Sequence, residues 1–163
     1  MAVKKWFKKG KKVYNSNSNL ENRVVNWLNS QFHYNCKKYE SLTLPGITVK
    51  KEYKVDIHGL YKTFLGKVKA DLWVECKEYQ IKRSNVAVFI ESAREVRNLY
   101  KKYGDVQKWY ADILMLVSNI GFEMGAIRLV DIHNIYCVKA NSSFNFVGKH
   151  DRSSFEYRRV SDY

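Results

Sequence analysis

The chain has 163 residues, with 29 Lys or Arg against 16 Asp or Glu, so its formal net charge is +13. This length suits one domain with a sizeable core, and the charge predicts a polyanionic partner, with nucleic acid as the first candidate. Three unevenly spaced cysteines form neither a disulfide framework nor a zinc pattern, and no apolar run approaches the ~20 residues that span a bilayer. We therefore expect a cytoplasmic protein without a membrane partner.

Residues 1–17 are predicted to form a basic N-terminal arm outside the folded domain. The first twelve residues carry six lysines around Trp6 and Phe7, without any acidic residue. Such a segment can follow the phosphates of a nucleic acid, but a solubilising tail explains the same composition equally well. The candidate nucleic-acid contacts in the arm are Lys4, Lys5, Lys8 and Lys9.

A helix is predicted from Ser18 to about Phe32. Ser18-Asn19-Leu20-Glu21 has the pattern of a capping box, in which the glutamate bonds back to the start of the helix. Apolar residues then recur at helical spacing and predict the buried face: Leu20, Val24, Trp27 and Leu28. Glu21 therefore has a sufficient role as a helix cap.

Two strands are predicted around residues 53–58 and 71–77, and we expect them to pair as a hairpin. The second strand alternates strictly, with Leu72, Val74 and Cys76 on one face and Trp73, Glu75 and Lys77 on the other. Gly59 and Gly66 are interpreted as turn residues between the strands. The pairing would place Asp56 beside Glu75 and Lys77, on the same face as His58, for which we expect only a polar role in the sheet.

Two carboxylates a few ångström apart offer the oxygen ligands that Mg²⁺ or Mn²⁺ prefers. A neighbouring lysine can orient or deprotonate a metal-bound water and offset charge on a phosphate. The plain alternative is that Glu75 and Lys77 form a charge pair on an exposed strand, since surface charge is the commonest use of these residues.

The second half of the chain predicts alternating helices and strands. We expect a helix over residues 85–103 with Ser84 as its cap, a buried strand over 111–117, a helix over 122–133 and a short strand over 135–138. Residues 141–163 show no clear period and are interpreted as a polar, basic C-terminal extension. The predicted fold class is α/β, with a mixed central β-sheet flanked by helices on both faces.

Asp56, eighteen intervening residues and then Glu75-Cys76-Lys77 at the end of an apolar strand resemble the motif of the restriction-endonuclease-like PD-(D/E)xK nucleases. The predicted order αβββαβαβ over residues 18–140 matches the core of that superfamily. The segment from Ser118 to Ala126 is similar to its Mrr-like and archaeal resolvase-like branches, whereas Val55 stands where the motif has proline. The resemblance implies a Mg²⁺- or Mn²⁺-dependent endonuclease that hydrolyses DNA phosphodiester bonds, with residues 18–140 as the nuclease-like domain.

The resemblance also implies roles for individual residues. Asp56 and Glu75 would hold the metal with the backbone carbonyl of Cys76, and Lys77 would position the attacking water. Glu21 matches an acidic residue on the first helix that completes the metal site in many members, so it is either a cap, a site residue or both. A flanking phosphate would contact Lys82 and Arg83.

The expected partners are duplex or branched DNA and a second copy of the chain, although RNA stays open as a substrate. A two-fold homodimer is the simplest way for a chain with one metal site to cut both strands. The aromatic residues proposed for the dimer contact are Tyr136, Phe144, Phe146, Phe155 and Tyr157. The alternatives are a nucleic-acid-binding module without catalysis and a nuclease subunit that needs a partner.

Overall fold

The computed structural model of the chain describes residues 19–43, 52–62, 65, 68–103 and 111–160. The arm lysines and Ser18, the first residue of the capping box, therefore lie outside the described residues. Helix α1 (residues 19–32) comes first. The strands that follow it are β1 (Asn35–Thr43), β2 (Glu52–Lys62) and β3 (Val68–Lys77). The second half contains α2 (Arg83–Tyr103), β4 (Ile113–Ser118), α3 (Met124–Ile132), β5 (Tyr136–Ala140), β6 (Phe144–Val147) and α4 (Arg152–Val160).

The six strands form one mixed sheet whose order in space equals their order in the chain. The first three strands form an antiparallel meander. Strands β3, β4 and β5 run parallel, because α2 and α3 return the chain to the same edge before each new strand begins. Strand β6 then pairs antiparallel with β5. The predicted mixed sheet and the predicted order of its first eight elements are confirmed.

Each face of the sheet is covered by two helices. Helix α1 packs its predicted stripe onto one face, where Leu20, Val24 and Leu28 are at most 3% exposed and meet Leu72 and Val74 of β3. The other face holds a separate apolar cluster under α2 and α3, and it receives side chains from the opposite side of the same strand. The strict alternation of β3 therefore reflects a strand that lies between two cores.

Residues beyond the predicted boundary at residue 140 join the sheet and its core. Strand β6 adds a sixth strand to the sheet, and Phe155 of α4 is fully buried in the α1-side core. Tyr136 is buried as well, and Phe144 and Phe146 pack against the same core. These aromatic residues stabilise the domain and are not a free contact surface for a second copy. The side chain of Tyr157 lies outside the description.

Gly59 does not form a turn, in contrast to its interpretation from the sequence. It lies inside β2, paired with Cys36 on one side and Leu72 on the other. A Cβ atom at this position would lie 2.8 Å from the sulfur of Cys36, closer than side chains tolerate. The glycine therefore makes room for the close approach of Cys36, which is buried and free like Cys76 and Cys137. Within the described residues, no helix is long and apolar enough to cross a membrane.

Candidate functional site

The hairpin of β2 and β3 brings the predicted site residues together at one end of the sheet. Its ladder ends with Ile57 opposite Val74, so Asp56 and Glu75 are the first residues beyond the last pair. The Asp56 carboxylate accepts a hydrogen bond from the backbone N–H of Cys76, with Oδ2 at 2.8 Å from the nitrogen. A side-chain oxygen thus accepts a bond from the backbone of β3, and this bond fixes the position of Asp56 relative to Glu75.

Glu75 and Lys77 form an ion pair on one face of β3. The Lys77 ammonium donates to Oε1 of Glu75 at 2.5 Å, and the two side chains are 27% and 20% exposed respectively. The two residues share a face because side chains two positions apart on a strand point the same way. Both predicted groups are therefore adjacent and partly withdrawn from water.

The pKa of Glu75 is raised from 4.5 to about 7, chiefly by burial and then by the negative charges of Asp56 and Glu21, against the opposing effect of Lys77. Burial also acts to lower the pKa of Lys77, but attraction to Glu75 and Asp56 outweighs it and the pKa is raised. Two carboxylates, Glu75 and Asp56, thus act on the Lys77 ammonium, and a third, Glu21, acts on Glu75. The site carries more negative charge than its own lysine offsets.

Glu21 belongs to this cluster although it comes from a different element. It is 3% exposed on α1, and its charge acts on both Glu75 and the thiol of Cys76. Burial is the main reason that the pKa of Cys76 is raised well above its ordinary value, so the thiol stays neutral and packs in the core. The helix brings Glu21 to the site residues, and this position is compatible with a role as a cap.

The described residues contain no group of three His, Cys, Asp or Glu side chains that could together hold a metal ion. Asp56 and Glu21 both act on Glu75 through their charge. The carbonyl of Cys76 belongs to the residue whose N–H holds Asp56. A cation at this point would accordingly draw part of its ligand set from backbone and water oxygens.

Ser118, which was given no individual role from the sequence, organises the loops beside the cluster. It lies opposite Lys77 at the end of β4 and is fully buried. Its hydroxyl accepts hydrogen bonds from the N–H groups of Ile120 (3.1 Å) and Gly121 (2.9 Å) and donates to the carbonyl of Tyr79 (2.8 Å). One side chain thus holds together the segments that follow β3 and β4.

The same two segments are joined further along by backbone hydrogen bonds. Ile81 N–H donates to the carbonyl of Gly121, and Glu123 N–H donates to the carbonyl of Ile81, both at 2.9 Å. Ser118 is visible in the sequence only as a polar residue that ends an apolar strand. Its partners become apparent once β3 and β4 are known to be parallel neighbours.

Lys82 and Arg83 lie at the start of α2, both exposed. The helix begins one residue before the predicted cap Ser84, and the side chain of Asn85 accepts the N–H of Lys82 at 2.9 Å. The Arg83 side chain packs across Gly125 of α3, 3.7 Å from the place of a Cβ there. The two predicted phosphate contacts therefore lie shortly after the end of β3, where α2 begins.

A second buried pair lies further along the same hairpin. His58 Nε2 and Asp71 Oδ1 are 2.6 Å apart, with side chains 7% and 10% exposed. The backbone around Asp71 is also tied to Asp112, which donates its own N–H to the Asp71 carbonyl at 2.9 Å. His58 accordingly pairs with the Asp71 carboxylate inside the sheet. This position agrees with the polar role in the sheet that the sequence predicts for His58.

Comparisons with known proteins give only distant similarities. No protein-family model matches the chain, and no curated protein matches it. Similar solved structures include a protein of unknown function (12% identity, 72% of this chain and 54% of that chain, TM-score 0.47). A repair endonuclease from Pyrococcus abyssi is similar over 77% of this chain and 47% of that chain, with 16% identity and a TM-score of 0.42. The structure of EndoMS with double-stranded DNA has 16% identity over 78% and 45%, with a TM-score of 0.41.

The likeness is distant. The chain spans about half the length of each of these proteins. Identities of 12–16% with TM-scores below 0.5 assign this chain neither a family nor an activity.

Proposed function

We propose that the chain is a metal-dependent nuclease that hydrolyses phosphodiester bonds of DNA. The observation that carries the proposal is the cluster of Asp56, Glu75 and Lys77, in which burial and a neighbouring carboxylate raise the pKa of Glu75 to about 7. An ordinary surface ion pair has no third charged group withdrawn from water beside it. This cluster has the sequence spacing of the PD-(D/E)xK motif that it resembles.

The carboxylates outnumber the ammonium group at the site, and this excess of negative charge supports binding of a divalent cation. Oxygen ligands alone favour Mg²⁺ or Mn²⁺, and Asp56, Glu75 and the carbonyl of Cys76 would hold the ion with water as its remaining ligands. The bond from Cys76 N–H supports this assignment, because it orients Asp56 before any ligand arrives. When bound, such an ion lowers the pKa of a coordinated water and offsets the negative charge of a phosphate.

Lys77 would act on the reacting groups directly. Its raised pKa keeps the ammonium charged at neutral pH, so it can donate hydrogen bonds to a water molecule or to a phosphate oxygen. Glu21 lies on the α1 side of the cluster. Its carboxylate would add to the negative charge of the cluster without contacting the substrate. Lys82 and Arg83 would hold a flanking phosphate, and the net charge of +13 favours a polyanionic substrate.

Cleavage assays of plasmid, single-stranded and branched DNA, with Mg²⁺, with Mn²⁺ and with EDTA, test the proposal. We expect cutting only with metal. Asp56→Asn or Glu75→Gln should lower the rate by orders of magnitude, because each removes charge from an ion ligand while nearly preserving its shape. DNA binding in EDTA should persist or tighten, since less negative charge then faces the phosphates.

Glu91→Gln provides the matched control, because Glu91 is an exposed glutamate on α2 that pairs only with a neighbouring arginine in the described structure. Full activity of Glu75→Gln in Mg²⁺ would contradict the proposal. Tight DNA binding by a wild-type protein that cuts none of the substrates with either metal would favour a binding module or a subunit that needs a partner.

We further propose that the active form is a homodimer, since two sites related by a two-fold axis can cut both strands. The contact must use residues other than the buried aromatic residues Tyr136 and Phe155. Light scattering at the concentration of the cleavage assay checks this expectation. Double-strand breaks made by a monomer would contradict it.

A further inference from the structure

Lys139 of β5 lies at the same edge of the sheet as the carboxylate cluster. In the parallel ladders Lys77 pairs with Ser118 and Ser118 pairs with Lys139, so the three residues form a row across β3, β4 and β5. Neighbouring strands are ~4.8 Å apart, which places the Cα atoms of Lys77 and Lys139 about 10 Å from each other. Residues in register on parallel strands point to the same face. Lys139 is therefore a second lysine beside the site.

The surroundings of Lys139 are held firmly. Its side chain lies across Gly121, with Nζ 3.9 Å from the place where a Cβ would be. Gly121 has a positive φ of 128° and is fixed by the Ser118 hydroxyl and by its bond from Ile81 N–H. Arg83 lies across Gly125, four residues further along the same segment. The segment from Gly121 to Gly125 thus supports one cation at each of its ends.

Neither cation has a charged partner among the described residues. With the residues that the structure describes, the side chains of Arg83 and Lys139 form no ion pair and no hydrogen bond. Two exposed arginines on helix surfaces are paired instead, Arg94 with Glu91 and Arg152 with Glu156. Lys77 pairs with Glu75 inside the site. Arg83 and Lys139 are therefore available to bind an anion from outside.

We propose that Arg83 and Lys139 together bind a backbone phosphate of the nucleic-acid strand, next to the phosphate that reacts at Asp56 and Glu75. This inference rests on the proposed nuclease function and extends the binding surface to a residue on β5. The guanidinium group of Arg83 matches two phosphate oxygens at once, while the ammonium of Lys139 acts as a point charge. A strand held by both would cross the ends of β3, β4 and β5.

The salt dependence of DNA binding in EDTA tests the phosphate site without any need for cleavage. Fluorescence anisotropy with a labelled duplex should give a slope of log K against log salt that is shallower by about 0.9 in Lys139→Gln, because one fewer counterion is released. Arg83→Gln should change the slope by a similar amount, and the double variant by no more than about 0.9 in total, because both side chains neutralise the same phosphate. Lys139→Arg should restore the wild-type slope.

Lys149→Gln is the matched control, because Lys149 is an exposed lysine after β6 whose described hydrogen bond is a backbone one to Asp131. It should leave the slope unchanged. A wild-type slope in Lys139→Gln, or an equal loss in Lys149→Gln, would overturn the phosphate site even if the protein cuts DNA. Thermal unfolding of each variant ensures that folded proteins are compared.

Cleavage kinetics then place the phosphate relative to the reaction. In Mg²⁺, Lys139→Gln should raise KM several-fold and leave kcat within about twofold, because a contact made equally before and during the reaction affects binding alone. A fall in kcat with KM unchanged would overturn the assigned position. If the wild type cuts nothing, a shallower slope in Lys139→Gln still supports an anion site here, while the nuclease proposal fails.

Discussion

The hairpin of β2 and β3 carries two acid–base pairs with nearly equal contact distances and very different surroundings. His58 and Asp71 are 2.6 Å apart, and Glu75 and Lys77 are 2.5 Å apart. The first pair is sealed inside the sheet, with the backbone of Asp71 tied to Asp112. The second is more exposed, and Asp56 and Glu21 add further negative charge to it. The distance within an ion pair therefore does not indicate a function by itself, and the burial and the neighbouring charges of the pair must be considered as well.

The largest expected effect distinguishes the pairs by activity. Lys77→Met should lower cleavage by about 10²–10⁴-fold, the range typical of a lost proton-transfer or water-positioning group. DNA binding in EDTA should remain within a few-fold of the wild type. His58→Gln, which retains a hydrogen-bond donor toward Asp71, should cut at nearly the wild-type rate when measured per folded molecule. Equal losses in the two variants would remove the distinction between the pairs.

Stability should show the opposite order. His58→Ala leaves the Asp71 carboxylate buried without its imidazole partner, and we expect the free energy of unfolding to fall by about 3–5 kcal/mol. Urea unfolding monitored by circular dichroism measures this change. Adding Asp71→Asn to His58→Ala should recover part of the loss, because the double variant no longer buries a charge. A loss below about 1 kcal/mol in His58→Ala would show that the pair is not important for stability.

The pH dependence of stability should come from the other pair. The pKa of Glu75 is about 7 in the folded chain against an ordinary value of 4.5, so the folded state binds more protons between these values. The free energy of unfolding should therefore fall by roughly 1–3 kcal/mol as the pH rises through this range in EDTA. Glu75→Gln should lack this component of the fall. Saturating Mg²⁺ should reduce it, because a bound cation favours the ionised carboxylate.

The smallest effect is expected at a third pair, Glu91 with Arg94 on α2, whose charged atoms are 3.2 Å apart on the exposed surface. Glu91→Gln should change the free energy of unfolding by less than about 0.5 kcal/mol, because water screens such a pair. The change should disappear at high salt. A larger effect would mean that the contribution of the three pairs to the free energy of unfolding depends on the distance between their charges rather than on their burial.

Local patterns in the sequence were sufficient to predict much of the fold and of the cluster. The alternation in Leu72, Val74 and Cys76 predicts a strand with two distinct faces, and the stripe along α1 predicts its packing. The hairpin prediction was also sufficient to bring Asp56 near enough to Glu75 for its charge to act on that carboxylate. These features depend on spacing within a few residues or on one short connection.

The features that sequence analysis missed depend on long-range pairing. Ser118 and Lys139 join the site only through the parallel registers of β3, β4 and β5, which no local pattern specifies. Strand β6 has four residues, too few to establish a period, and α4 was missed with it. Gly59 was taken for a turn because the contact that requires it, with Cys36, comes from another strand.

The strand order of the sheet has a consequence for how the chain folds. Since every strand pairs with its neighbours in the sequence, the sheet can grow in the direction of synthesis, one strand at a time. Asp56 and Glu75 meet as soon as the third strand docks, well before α4 exists. Phe155 then closes the core against Phe32 and Tyr136, which would otherwise stay open to water on a nascent chain. We therefore expect the charged cluster to assemble early, and the aromatic contacts of Phe155 on the opposite face of the sheet to form among the last.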